Sequence, residues 1–215
     1  GTPIQNLIRL DGMTIYNPFH SIGFFSVFET ELIKSAEIFT GGYSAQYGGR
    51  ISSVMDITYR DGNFKEFGGK ASISPFMGKL VLEGPMFKAN EDGSGVAGSY
   101  IFSGKHALLE QTSPILYPYA NDGEGMPFNF TDVYAKATIR TEEGSKFSAF
   151  AFSNNDAVNF PEIAELYWNS YGGGVNFTVV PSSSKVILRG RINASSYQIN
   201  FIEDVGMQPR TSEIA

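Results

Sequence analysis

Two-residue alternation of apolar and polar side chains recurs through the second half of the chain, and few folds accept it. Val133, Ala135, Ala137 and Ile139 fall on one side, with Tyr134, Lys136, Thr138 and Arg140 on the other. Val175, Phe177 and Val179 alternate with Asn176 and Thr178. Val186, Leu188, Ile192 and Ala194 alternate with Lys185, Arg189, Arg191, Asn193 and Ser195. Lys70–Ser74, Lys79–Glu83 and Val96–Ser103 read as shorter strands, and Phe147–Phe152 is apolar on both sides. Successive side chains of a strand point to opposite faces, so most of these segments have one apolar and one polar face. Two architectures satisfy that pattern. A soluble sandwich buries the apolar face in its core. A membrane barrel turns the apolar face to lipid and the polar face to its lumen.

Connection lengths separate the two. Thr141–Ser145 and Pro181–Ser184 read as tight turns. Lys105–Thr131, Asn154–Asn169 and the stretch from Tyr197 onward read as long connections. Long loops gathered at one end of an up-and-down sheet are the pattern of outer-membrane barrels, which the spacing therefore favours.

The first part of the chain has a different character. Gln5–Leu10 and Met13–Tyr16 flank Asp11-Gly12, a two-residue hairpin signal. Asn17-Pro18 ends the second strand, an aromatic stretch follows over Ser21–Phe28, and Thr30–Ser35 reads as a short helix capped by Thr30. Ile33–Thr58 then reads strand, Gly41-Gly42 turn, Tyr43–Tyr47, the Gly48-Gly49-Arg50 turn, and a second strand from Ile51. Paired glycines mark positive-φ turns or close backbone approach, so this stretch is a compact structural unit. A turn at Asp61-Gly62-Asn63 and a connector at Lys65–Gly69 lead into the alternating segments.

Composition excludes several functions. The net charge of −6 over 215 residues, without a basic stripe, argues against nucleic-acid binding. Cysteine is absent, so there is no thiol nucleophile, thiolate metal site or disulfide frame. No apolar run reaches the roughly 18 residues of a membrane helix. No signal peptide opens the chain, and its start in mid-pattern suggests a piece of something longer. Glu91-Asp92 and Asp122/Glu124 lack calcium-loop spacing and read as solvated turns. Glu162 and Glu165 lie in an expected loop helix, PEIAELYW, with nothing to position a sugar between them. His20 and His106 have no ligand spacing and read as structural or exposed. No triad, phosphate loop or zinc motif is present, so no catalytic, cofactor-binding or metal-binding residue is assigned. Tyr167, Trp168 and Tyr171 stand out as ligand-stacking or membrane-interface aromatics.

Ile33-Lys34-Ser35-Ala36-Glu37-Ile38, then Gly41-Gly42-Tyr43-Ser44-Ala45-Gln46-Tyr47-Gly48, then Val54-Met55-Asp56-Ile57 resembles the C-terminal half of the plug domain of TonB-dependent outer-membrane transporters. IRLDGMTIYNP resembles that family's plug hairpin with its Asp-Gly turn. The wording GGYSAQYGGRISS, and Leu82-Glu83-Gly84-Pro85 beyond it, is most similar to the Bacteroidota branch. Glu37-Ile38 replaces the usual glutamate-valine pair, and Gly42 replaces the usual proline.

The resemblance implies a mainly β chain: a partial α+β plug domain over 1–60, a connector over 61–69, and over 70–215 the antiparallel first strands of an incomplete transmembrane β-barrel. The family barrel has about 22 strands. The plug structural motif would comprise Asp11, Gly12, Gly41, Gly42, Tyr47, Gly48, Gly49 and Arg50, with Arg50 paired to a barrel carboxylate such as Glu83. The implied partners are TonB, outer-membrane lipid, a surface lipoprotein and a scarce nutrient, in the outer membrane of a Gram-negative bacterium. The implied activity is import of a glycan, siderophore, cobalamin or peptide, without enzymatic chemistry or cofactor. The competing reading is a non-transporting β-rich carbohydrate-binding or adhesion module that stacks sugars on Tyr167, Trp168 and Tyr171.

Overall fold

The computed structural model describes residues 5–20, 23–48, 52–90, 94–119, 123, 125–160, 164–182, 186–203 and 210–214, with the backbone alone at 160, 164, 203 and 210–214. Six short strands come first: β1 (Leu7–Leu10), β2 (Met13–Thr14), β3 (Phe19–His20), β4 (Phe25–Ser26), β5 (Ile33–Phe39) and β6 (Val54–Tyr59). They form a four-stranded sheet of order β2-β1-β6-β5 and a separate β3-β4 ribbon. The expected hairpin is present, with Leu10 opposite Met13. Asp11 and Gly12 both have positive φ, 50° and 97°. That backbone matches the twist of the flanking strands, and only Gly and short polar residues adopt it readily.

The expected helix at Thr30–Ser35 is absent. One 3-10 turn covers Thr30–Leu32, capped by the Glu29 side chain rather than by Thr30. Ile33 is already extended and opens β5, which pairs antiparallel with β6. Leu32 is fully buried and its carbonyl accepts from Arg60 N at 2.7 Å. Sheet pairing and burial outweigh weak helix propensity over so short a stretch.

The second half is one antiparallel meander. Its strands are β7 (Gly68–Ile73), β8 (Met77–Phe87), β9 (Val96–Ala107), β10 (Phe128–Thr141), β11 (Lys146–Phe160), β12 (Ala164–Val179), β13 (Leu188–Glu203) and β14 (Arg210–Ile214). Each pairs with its sequence neighbours, and β7 and β14 are the two edges among the described residues. The turn expected at Thr141–Ser145 closes β10 onto β11.

Two expected loops are strand instead. Asn154–Phe160 and Ala164–Asn169 belong to a ladder in which Asn154 pairs Ser170 and Asn155 pairs Asn169. Glu165 to Trp168 are extended, which removes the expected helix as far as it is described; 161–163 lie outside the described residues. Tyr197 to Glu203 likewise continue β13. Inward polar residues such as Asn154 and Asp156 break the apolar rhythm that marks a strand in sequence. Among the described residues of the large sheet the long connection is the one after β9, and it carries helix α1 (Leu109–Leu116). Loop asymmetry is therefore weaker than the sequence suggests.

Burial distinguishes the two architectures more sharply. On β10 the hidden side chains are Phe130, Asp132, Tyr134, Lys136 and Thr138. The apolar partners Val133 and Ile139 are exposed. On β11, Ser148, Phe150, Phe152, Asn154 and Asp156 are hidden while Phe147 is exposed. Val175 on β12 and Ile192 on β13 are exposed too, Ile192 at 73%. The large sheet thus hides a largely polar face and displays an apolar one, the inverse of a soluble sandwich. The hidden face wraps the N-terminal strands. Leu10, Met13, Val27, Leu32 and Ile57 pack there against Val81, Ile101, Tyr134, Phe150 and Phe152.

Glycine permits this approach. A Cβ on Gly62 would lie 1.9 Å from the Tyr100 carbonyl oxygen, and one on Gly172 would lie 2.5 Å from Met13 Sδ. Gly62→Ala should destabilise the fold by about 1–3 kcal/mol through overpacking. Gly144 has open space around it but φ of 91°, so Gly144→Ala should cost about 1–2 kcal/mol from backbone strain alone. Denaturant titration of both variants in detergent checks this: unchanged stability in Gly62→Ala would refute the close approach.

Candidate functional site

The hidden face of the large sheet meets the N-terminal strands along a polar seam, and Asp11 sits in its middle. The β1-β2 turn carries the Asp11 carboxylate into the sheet, where it is only 3% exposed. Its Oδ2 accepts from the Tyr134 hydroxyl, and its Oδ1 faces Lys136 Nζ at 3.3 Å. Asp11 Oδ1 also accepts from Tyr59 N at 3.3 Å, while Asn176 Nδ2 donates to the Asp11 carbonyl at 2.9 Å. Lys136 Nζ donates to the Tyr59 carbonyl at 2.8 Å and lies 3.7 Å from Asp61. Asp61 completes the group through Lys146 at 2.5 Å and the Thr138 hydroxyl at 3.1 Å. Burial works against the Asp61 charge, but Lys146 and Lys136 outweigh it and hold the carboxyl below its usual range. Burial pushes the Tyr59 hydroxyl well above its usual value, so it stays protonated.

A second cluster surrounds His20, which is fully buried. Its Nε2 lies 2.8 Å from Asp132 Oδ2 and its Nδ1 lies 2.9 Å from Asp156 Oδ2. Both ring nitrogens donate to carboxylates only in the imidazolium form. Lys105 and Asn154 flank Asp132 at 2.8 Å and 2.9 Å, and the ring stacks on Phe130 with centroids 4.1 Å apart. Lys105, Asp132 and Asn154 form one row across β9, β10 and β11, with His20 placed over it. Burial opposes the His20 charge, yet the Asp132 and Asp156 hydrogen bonds prevail and raise its pKa above 6.5. Further ties line the rim. Arg60 grips Glu83 with both guanidinium nitrogens at 2.6 and 2.8 Å. Glu29 pairs Lys79 at 3.2 Å and Glu31 pairs Lys70 at 3.0 Å.

Asp11 and Gly12 thus stand at the seam; a Cβ on Gly12 would lie 2.8 Å from Asn193 Nδ2. Tyr47 is buried against Phe39 and under the Arg9 guanidinium. Gly41, Gly42 and Gly48 lie apart from the seam: an added Cβ meets nothing within 4 Å at the first two and only the Ala45 carbonyl at the third. Gly49 and Arg50 lie outside the described residues, and the cation on Glu83 is Arg60. Tyr167, Trp168 and Tyr171 do not share a face. Trp168 is buried on the inward side, whereas Tyr171 is exposed and donates to Gln198 Oε1 at 3.2 Å. Glu165 accepts from the Tyr167 hydroxyl at 3.0 Å; Glu162, Glu91, Asp92, Asp122 and Glu124 lie outside the described residues. His106 is on the exposed side, bonded to the Thr131 hydroxyl at 2.8 Å. Sequence reasoning missed Asp132, Asp156 and the close approach of Met13 to Gly172, and read His20 only as structural or exposed, without its two carboxylates. Inward polar residues breaking an otherwise apolar strand were the available signal.

Residues 2–54 match the family model of the TonB-dependent receptor plug domain. Over these residues the chain is similar to a receptor plug. Comparison of the chain with curated proteins finds no match. The seam is therefore the contact between the plug-like N-terminal strands and the β-sheet that follows them.

Removing a single partner from a buried pair leaves the other charge uncompensated, so Lys136→Met should cost about 3–5 kcal/mol. The Lys70 side chain is 65% exposed, and Lys70→Met should change stability by about 0–1 kcal/mol. Equal effects in denaturant titrations would contradict the buried seam.

His20 gives a pH signature. Its folded pKa is raised above 6.5, so its stabilising contribution is complete below that value and fades as pH rises through the folded pKa. The groups facing it are Asp132, Asp156 and Lys105. Wild-type stability measured from about pH 6 to about 9 should carry this loss, and His20→Gln should remove it. Parallel pH profiles in the two proteins would exclude the imidazolium bridge.

Proposed function

We propose that this chain contributes the plug and adjoining barrel wall of an outer-membrane active transporter. The observation that carries the reading is the inverted sheet: polar side chains turned toward a plug and apolar ones turned outward. Residues 1–60 then act as the C-terminal part of the plug, 61–69 as a connector, and 70–215 as the first barrel strands. Strands of 16 residues, such as β12 and β13, exceed the about 9–11 needed to cross a bilayer. Further strands pairing with the edges of β7 and β14 would close a barrel of about 22 strands around the plug.

In this scheme TonB pulls on the plug from the periplasm of a Gram-negative cell, and a scarce nutrient enters by the path that opens. Glycan, siderophore, cobalamin and peptide are the candidate nutrients, and a surface lipoprotein is the candidate partner for the first and last. The polar seam suits this work. A buried ion pair is roughly balanced between desolvation cost and attraction, so a seam of such pairs can part into water with little net penalty. The chain acts by binding and movement, without chemistry on the nutrient. The split of Tyr167 and Tyr171 from Trp168 gives no single platform to favour the sugar-stacking module.

Two experiments test the reading. Val175 faces outward, and Val175→Arg should cost about 2–4 kcal/mol near a bilayer midplane and reduce outer-membrane assembly. A Val175→Arg chain that is stable and monodisperse without detergent would instead favour a soluble module. Deleting the gene should abolish uptake of one nutrient of the classes named; undiminished uptake of all of them would refute the transport reading.

A further inference from the structure

Between the Asp11-Gly12 turn and the sheet lies a cavity of about 460 Å³, within the usual range for small-molecule sites. It opens near the Thr141–Ser145 turn end of the sheet, and Arg9, Lys136, Lys146, Arg189 and Arg191 all reach it. The chain as a whole carries a net charge of −6, so this concentration of cations is local rather than general. The lysines are engaged: Lys136 by Asp11 and Asp61, Lys146 by Asp61. The arginines are much less so. Arg9 donates its Nε to the Gly12 carbonyl and lies over the Tyr47 ring, with no carboxylate partner among the described residues. Arg191 approaches one carboxylate, Asp56, at 3.7 Å, with its side chain 48% exposed. The Arg189 side chain has no hydrogen bond or ion pair among the described residues and lines the same cavity.

These donors converge. The position a Gly12 Cβ would occupy lies 2.8 Å from Asn193 Nδ2, 3.1 Å from Arg191 Cδ and 3.4 Å from Arg9 Nη2. Guanidinium groups present rigid forks that match the oxygens of phosphate and carboxylate. We infer that this cavity binds a small solute bearing phosphate or carboxylate groups, held by Arg9 from the plug and by Arg189 and Arg191 from the wall. Because its donors come from both sides of the seam, the bound anion ties the plug to the wall. Movement of the plug carries Arg9 away and dismantles the site. The cavity lies on the inward face of the sheet, away from the apolar outer face, so its ligand is a dissolved solute. Binding at this site does not depend on the transport reading.

The test is calorimetric titration of the purified chain in detergent with sodium pyrophosphate, with citrate, and with glucose as a neutral control. Pyrophosphate or citrate should bind saturably and raise the unfolding temperature, and whichever binds more tightly identifies the preferred oxyanion. Glucose should do neither. The Arg189→Gln/Arg191→Gln variant should bind about tenfold more weakly or not at all, and Arg9→Gln should show the same direction. Arg140 stacks on Phe64 and does not line the cavity, so Arg140→Gln should bind as wild type does. Binding of neither anion by the wild-type chain overturns the inference, as does binding undiminished in Arg189→Gln/Arg191→Gln. The thermal shift of the wild-type chain decides the matter even where a variant fails to fold.

Discussion

One carboxylate organises the seam. Asp11 occupies a turn position whose backbone tolerates Asp, and the turn holds its side chain inside the sheet rather than in water. There it is shared among Tyr134, Lys136 and the backbone of Tyr59. A buried carboxylate without such partners is strongly disfavoured. The hairpin can therefore rest only where the wall presents the tyrosine and the lysine. The same contact fixes β6, because Lys136 also binds the Tyr59 carbonyl. From Tyr59 the chain passes to Asp61, whose side chain engages Thr138 and Lys146. The entry into the large sheet is thus set by the same few charges.

Polar and apolar contacts divide the labour. The cluster around Leu10, Met13, Leu32 and Ile57 supplies burial, which is strong but non-directional. The ionic rows supply register. His20 fits between Asp132 and Asp156 in one position only, since a shift of β10 by one residue would turn Asp132 outward. Such groups are better regarded as addresses than as glue, because their desolvation cost offsets much of their attraction. For the plug proposed above, held and also moved, that is a suitable balance.

Much of this was legible in the residues. The Asp-Gly hairpin, the strand at Ile33–Phe39, the tight turn at Thr141–Ser145 and the strand alternation follow from local stereochemistry, which sequence expresses directly. The plug wording around Tyr47 was equally readable. The strand extensions through Asn154 and Tyr197 were not, because polar residues facing a polar partner look like loop. His20 looked solitary for the same reason. Its two carboxylates lie 112 and 136 positions away along the chain. The short helix at Thr30 was misread because propensity there is weak and pairing with β6 is strong.

The sequence by itself determined the local geometry: which residues are extended, where the chain reverses, and that each wall strand has two unlike faces. It could not say which face is inside, since alternation is symmetric under exchange of inside and outside. Tertiary structure decided that, by placing the N-terminal strands against the polar face. It also decided which charges meet, because ion pairs form between groups brought together by the fold and not by spacing along the chain. Asp11 shows both halves of the lesson: its place in a turn is written beside it in Gly12, and its partners Tyr134 and Lys136 appear only when the sheet closes over it.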